Sequence, residues 1–144
     1  MTAGPDATSH AKALDVLARA DADALRATAE AILDDIGDVE VVHSRTGLVM
    51  MPVRDPVQGA AFHVGEVLVA EAHIRAAGQE GYALRAGRDL EAAMAMAVVD
   101  CALQAGIRTG DCHALIDAEA ARLAAEDAAS ARRTEATRVA METF

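Results

Sequence analysis

Three consecutive stretches decide the fold: FHVGEVLVAEAHIR (Phe62–Arg75), GYALRAGRD (Gly81–Asp89) and LEAAMAMAVVDCAL (Leu90–Leu103). In the first, Leu68, Ala70, Ala72 and Ile74 fall on one side. Val67, Val69, Glu71, His73 and Arg75 fall on the other, so the period is that of a strand with one apolar face. Gly65 is placed to bulge this strand and re-aim what precedes it. Ala77 to Gly81 reads as a hairpin-like connection, and Gly81 to Ala86 returns with Tyr82 and Leu84 on one side. Gly87-Arg88-Asp89 then leads into an alanine-rich helix. Asp89 is its N-cap, Met96, Val99 and Leu103 make an apolar stripe, and Gly106 is its stop.

Outward from this unit, the upstream pattern is helical. Leu14, Leu17 and Ala18 share one side of a helix that starts near Ser9. Asp21 is placed to cap a second helix, with Leu25, Ala29 and Ile32 on one face and Gly37 at its end. Val39 to Ser44 suits a strand, Thr46-Gly47 a turn, and Leu48 to Arg54 a further strand. That last run is apolar on both parities, as a strand covered on two sides would be. Pro52 lacks an N–H and places it at an edge, or bulged near its end. Asp55 to Gly59 is a loop before the long strand. Downstream, Gly110-Asp111 opens a last helix over about residues 112–143.

The last helix has two halves. The first carries Leu115, Ile116 and Leu123; residues 124–138 contain no Leu, Ile, Val, Met or Phe. Pairs such as Arg122 with Glu126 support it by only about 0.2–0.5 kcal/mol each. Residues 124–144 cannot anchor themselves by apolar burial. They either fray in solvent or lie along another chain. The expectation is one α+β domain over 1–144 with a loose start at 1–8. It has two N-terminal helices, a mainly antiparallel sheet of about four strands, and two C-terminal helices, the last one long.

Composition narrows the function. The chain has 144 residues and is 53% hydrophobic, but with one Tyr, two Phe and no Trp. Alanine supplies much of that fraction and buries little area, whereas a buried Leu or Val contributes about 1.5–3 kcal/mol. A thin core of this kind suggests a need for a partner or for self-association. The net charge of −10 argues against a general nucleic-acid binder, since phosphate backbones require a basic footprint. Two cysteines without paired spacing suit a reducing cytoplasm. The N-terminus shows no basic run followed by an apolar core, so no leader is expected. No segment reaches the roughly 20 apolar residues of a membrane span.

The candidate polar residues gather in the same strand–turn–strand–helix unit. Glu71, His73 and Arg75 share one strand face, which reads as solvated or partner-facing rather than catalytic, because they are spread along an open strand. Glu66 lies further along the same strand. Gly87-Arg88-Asp89 stands where a helix N-terminus offers free N–H groups and Arg88 adds donors, so an anion can bind there. The competing reading is that Asp89 caps the helix and Arg88 makes a salt bridge. Asp100, beside Val98 and Val99, needs a partner, either Arg88 or another chain. Cys101, Cys112 and His113 match no compact metal-ligand spacing and are read as a small buried cysteine and an exposed helix-start pair. No metal, cofactor or nucleophile–base pair is expected.

With these residues in view, the chain resembles the G subunit of the bacterial carbon–phosphorus lyase system. The matching elements are Gly47-Leu48-Val49, Phe62 with Gly65-Glu66, Gly81-Tyr82, Gly87-Arg88-Asp89, and Ala93, Ala97 and Asp100 with Ala102-Leu103. Cys101 departs from the small residue expected there. The resemblance implies a scaffold that assembles with the H, I and J subunits, the I subunit most directly. With the H, I and L components it would support the displacement of adenine from ATP by a phosphonate, giving ribose 1-phosphonate 5-triphosphate. It implies no catalytic residue in this chain. The alternative reading is a free-standing homo-oligomeric α/β protein that binds a small anion at the Arg88 junction.

Overall fold

The computed structural model describes residues 7–54 and 61–142. Two helices, α1 (Ala7–Arg19) and α2 (Ala22–Ile36), precede three strands, β1 (Glu40–Arg54), β2 (Ala61–Ala76) and β3 (Gln79–Ala86). Helices α3 (Leu90–Ala105) and α4 (Thr109–Glu142) follow. The sheet is antiparallel in the order β1-β2-β3. Helix α3 lies between the sheet and α2, while α4 crosses α1, α2 and α3.

Among the described residues the sheet has three strands rather than about four. The turn expected at Thr46-Gly47 does not form: Thr46 pairs with Ala70 and Gly47 with Val69, and β1 runs straight through. Thr-Gly is a weak turn signal, and the long β2 offers a ladder in constant register from His43 to Met51 that satisfies backbone groups a turn would leave open. Nor is the run that starts at Leu48 covered on both sides over its described side chains, 48–50. Leu48, Val49 and Met50 are exposed, so two-sided apolarity here marks an open ribbon. Pro52 does lie in an edge strand, and the register shifts between Met51 and Pro52. Gly65, opposite Met51, has φ +150°, a conformation that suits glycine.

The two faces of β2 separate as the alternation requires. Ala70, Ala72 and Ile74 are fully buried beneath α3, and Leu17, Leu25, Ile32 and Val99 complete the core. Helix α3 is buried nearly all round, not along one stripe: of residues 92–102 only Met94 is more than slightly exposed. It serves two layers at once, so alanine is needed on every side. At Gly81 an added Cβ would run into the carbonyl of Ala97 and the side chain of Cys101. The glycine permits this close approach of β3 and α3.

The caps stand where the sequence puts them. Asp21 Oδ2 accepts from the Ala24 N–H at 3.0 Å and Asp89 Oδ1 from the Ala92 N–H at 3.0 Å. Gly106 ends α3 in the left-handed conformation at φ +73°. The loose start expected at 1–8 falls largely outside the described residues, and Ala7 is already helical. The loop expected at Asp55 to Gly59 lies outside them entirely. Helix α4 continues unbroken to Glu142, and its side chains from 124 to 138 are exposed except for a half-covered Ala129.

Candidate functional site

The sheet face turned away from α3 is open, and register places its residues in rows. Arg45, Glu71 and Leu84 form one row, His43, His73 and Tyr82 the next, and Glu40, Arg75 and Glu80 the third. Glu71 is the hub. Its carboxylate accepts from His43 Nε2 at 2.8 Å, from Arg45 Nε at 3.3 Å and from the Tyr82 hydroxyl at 3.3 Å. The His43 bond is the main cause that holds the Glu71 carboxyl below the usual glutamate range, with Arg45 assisting against a partial desolvation. Tyr82 is pushed the other way, by burial first and then by the Glu71 charge.

The rings pack edge to face, His43 against His73 at 5.4 Å and His73 against Tyr82 at 6.3 Å. Glu80 accepts from Arg75 Nε at 3.0 Å, and this bond is the chief reason its carboxyl is also lowered. Each acid here already holds a base. Among the described residues the face presents paired charges and aromatic edges, with no unpaired general base and no adjacent nucleophile. It is suited to binding a polar surface by complementary pairing. Among the described residues no group of three or more His, Cys, Asp or Glu has the arrangement of a metal site.

Asp100 and Arg88 do not meet. The Asp100 carboxylate is buried on α3, where Oδ2 accepts the Tyr82 backbone N–H at 2.9 Å and Oδ1 pairs with His10 Nε2 at 2.6 Å. It therefore fastens α3 to β3 and to α1. Arg88 makes no hydrogen bond or ion pair to the described residues. The salt bridge expected of it goes instead to Arg26, which reaches Asp89 Oδ2 at 2.8 Å. Asp89 thus fills the helix N-terminus that an anion would need, and its Ala92 N–H bond is the main cause of its lowered carboxyl. Of the sequence-derived candidates, Glu71, His73 and Arg75 share the open face. Arg88 and Asp89 stand at the α3 N-terminus, Asp100 in the interior, and Glu66 on the exposed ribbon opposite Met50.

A second cluster joins the α1–α2 corner to the rest. Arg85 donates to the carbonyls of Leu17 at 2.6 Å and Ala20 at 2.7 Å, and Arg122 to that of Arg19 at 3.2 Å. Buried Glu119 accepts from the Asp21 N–H at 3.2 Å and from Arg122 Nε at 2.7 Å. Two guanidinium groups therefore cap the end of α1, and a carboxylate faces the start of α2, each sign matching the local dipole. Cys112 departs from its expected exposed position: it is fully buried, and burial pushes its thiol up to about 11. Only His113 of that pair is exposed.

Sequence reasoning missed His10, His43, Arg45, Arg85 and Glu119. His43 and Arg45 had a signal. Had Thr46-Gly47 been read as strand, the two would have fallen opposite His73 and Glu71. The other three meet backbone atoms or residues far away in sequence and gave none.

Two comparisons with known proteins bear on this arrangement. Residues 8–144 match the family model described as phosphonate metabolism protein PhnG. The chain is also 36% identical over 126 residues to the alpha-D-ribose 1-methylphosphonate 5-triphosphate synthase subunit PhnG of Rhizobium meliloti (strain 1021). That alignment covers 86% of this chain and 80% of the relative.

Proposed function

This chain belongs to the PhnG family of phosphonate metabolism proteins, and from that premise we propose that it is a non-catalytic subunit of a carbon–phosphorus lyase core complex. In this role it supports transfer of a phosphonate to the ribose of ATP with release of adenine, the synthesis of ribose 1-phosphonate 5-triphosphate. The match across residues 8–144 carries the reading. The open sheet face supports it, because its acids and bases are matched to each other and are arranged for contact rather than for turnover. The partners under this reading are the H, I and J subunits, the I subunit most directly, with the L component joining for the first step, in the cytoplasm. The face bearing Glu71, His73 and Arg75 and the C-terminal arm are the surfaces that meet them.

The test is reconstitution. H, I and L components are supplied with ATP and methylphosphonate, with and without this chain, and adenine release is measured. Release that requires this chain, with none from the chain alone, is the expected result. Full release without it, or turnover by the isolated chain, overturns the proposal. An anion site at Arg88 is disfavoured by the geometry, since Asp89 and Arg26 already occupy that junction.

A further inference from the structure

The β1–β2 hairpin outruns the rest of the sheet. Pairing of β3 with β2 ends at Val69 and Ala86, while β1 and β2 continue together to Arg54 and Ala61. Beyond that point the sheet is a two-stranded ribbon, marginal in water without further support. Leu48, Val49 and Met50 on it are 61%, 39% and 53% exposed. The outer edge of β1 carries no strand among the described residues. Natural edges are usually blunted by lysine, proline, charge or a bulge. Between His43 and Met51, β1 has no lysine, proline, acid or register shift, and Arg45 is its one formal charge. A bare backbone edge requires an extended chain as its occupant, because only a strand supplies alternating donors and acceptors at that spacing.

We propose that this occupant is β1 of a second copy, paired antiparallel about a twofold axis at Val49. A symmetric antiparallel pair must centre on one residue. Centring on Gly47 would set Leu48, Val49 and Met50 against Thr46, Arg45 and Ser44, apolar against polar. Centring on Val49 sets Val49 against Val49 of the second copy and Leu48 against Met50, so all three exposed apolar residues meet one another. Pro52, lacking an N–H, falls opposite Thr46 and marks where the new ladder stops. No like charges are opposed. The contact is isologous and closed, joining two sheets into one of six strands without leaving a free copy of the same edge. This pairing does not depend on the accessory-subunit reading, and each can fail without the other.

The register is tested by cross-linking the full chain. Val49→Cys places two thiols directly opposite each other across the axis, whereas Ser44→Cys, exposed on the same strand, faces Arg54. Both native cysteines are buried. Under mild oxidation Val49→Cys is expected to give a covalent dimer rapidly, while Ser44→Cys gives little. Light scattering should report twice the monomer mass for the native chain, and Val49→Lys, which opposes two ammonium groups, should halve it with the circular dichroism unchanged. A native chain that stays monomeric across a dilution series overturns the proposal. So does a Ser44→Cys variant that cross-links as fast as Val49→Cys, or a Val49→Lys variant that remains dimeric.

Discussion

Glu71 shows how one side chain on an open face becomes ordered. Three donors from two neighbouring strands converge on its carboxylate, and the His43 bond is the largest influence on its proton affinity. Its folded affinity for a proton lies below that of an ordinary glutamate, for which the usual value is 4.5. Above that value the carboxylate is ionised in both states, and its bonds stabilise the fold in full. As pH falls through the lowered folded value the unfolded chain is already protonated, so this contribution disappears. Glu71→Gln should therefore melt lower than the native protein at neutral pH, and the gap should close as acid takes the pH below the ordinary glutamate value of 4.5 and on through the lowered folded value. Thermal melts of both proteins across that range check it. A gap that persists unchanged in acid would mean the three bonds do not discriminate carboxylate from carboxylic acid. Arg85 belongs to the same scale but was not legible. Its partners are the backbone carbonyls of Leu17 and Ala20, which no side-chain pattern reveals.

At the scale of elements, period and caps were readable because they are local. The alternation along β2, the Asp21 and Asp89 caps and the Gly106 stop depend on residues a few positions apart. What failed was the continuity of β1, which is set by its partner. Gly47 holds an extended conformation because Val69 lies opposite it, not because of its own neighbours. The all-round burial of α3 was likewise hidden, since alanine fits both a weak stripe and a helix pressed between two layers. Gly81 is where these elements constrain one another. A Cβ there collides with the Ala97 backbone carbonyl, which cannot swing aside as a long side chain would. Gly81→Ala should cost about 3 kcal/mol by forcing β3 and α3 apart. Denaturant unfolding measures it, and a loss within experimental error would show that the two elements are not so closely packed.

At the scale of the whole molecule, the chain commits its apolar residues to α3, β2 and the α1–α2 corner and leaves two projections outside that core. One is the β1–β2 ribbon; the other is α4 beyond Leu123. The arm touches the body through Arg19 and Asp127, a pair 3.1 Å apart but 56% and 63% exposed, and such a pair is worth little. Removing residues 124–144 should leave the stability of the isolated chain within about 0.5 kcal/mol, because among the described side chains, 124–138, none is buried. If the arm lies along another subunit, the same truncation should sharply lower co-purification with the I subunit. If it only extends into solvent, both stability and co-purification should be unchanged, and the proposed role of the arm is overturned. Melting the truncated chain alone and pulling it down from a co-expressed mixture separates the outcomes. A truncated chain that no longer folds would contradict the exposure of residues 124–138 itself. Stability kept with assembly lost is therefore the result that assigns the arm to a partner rather than to the domain.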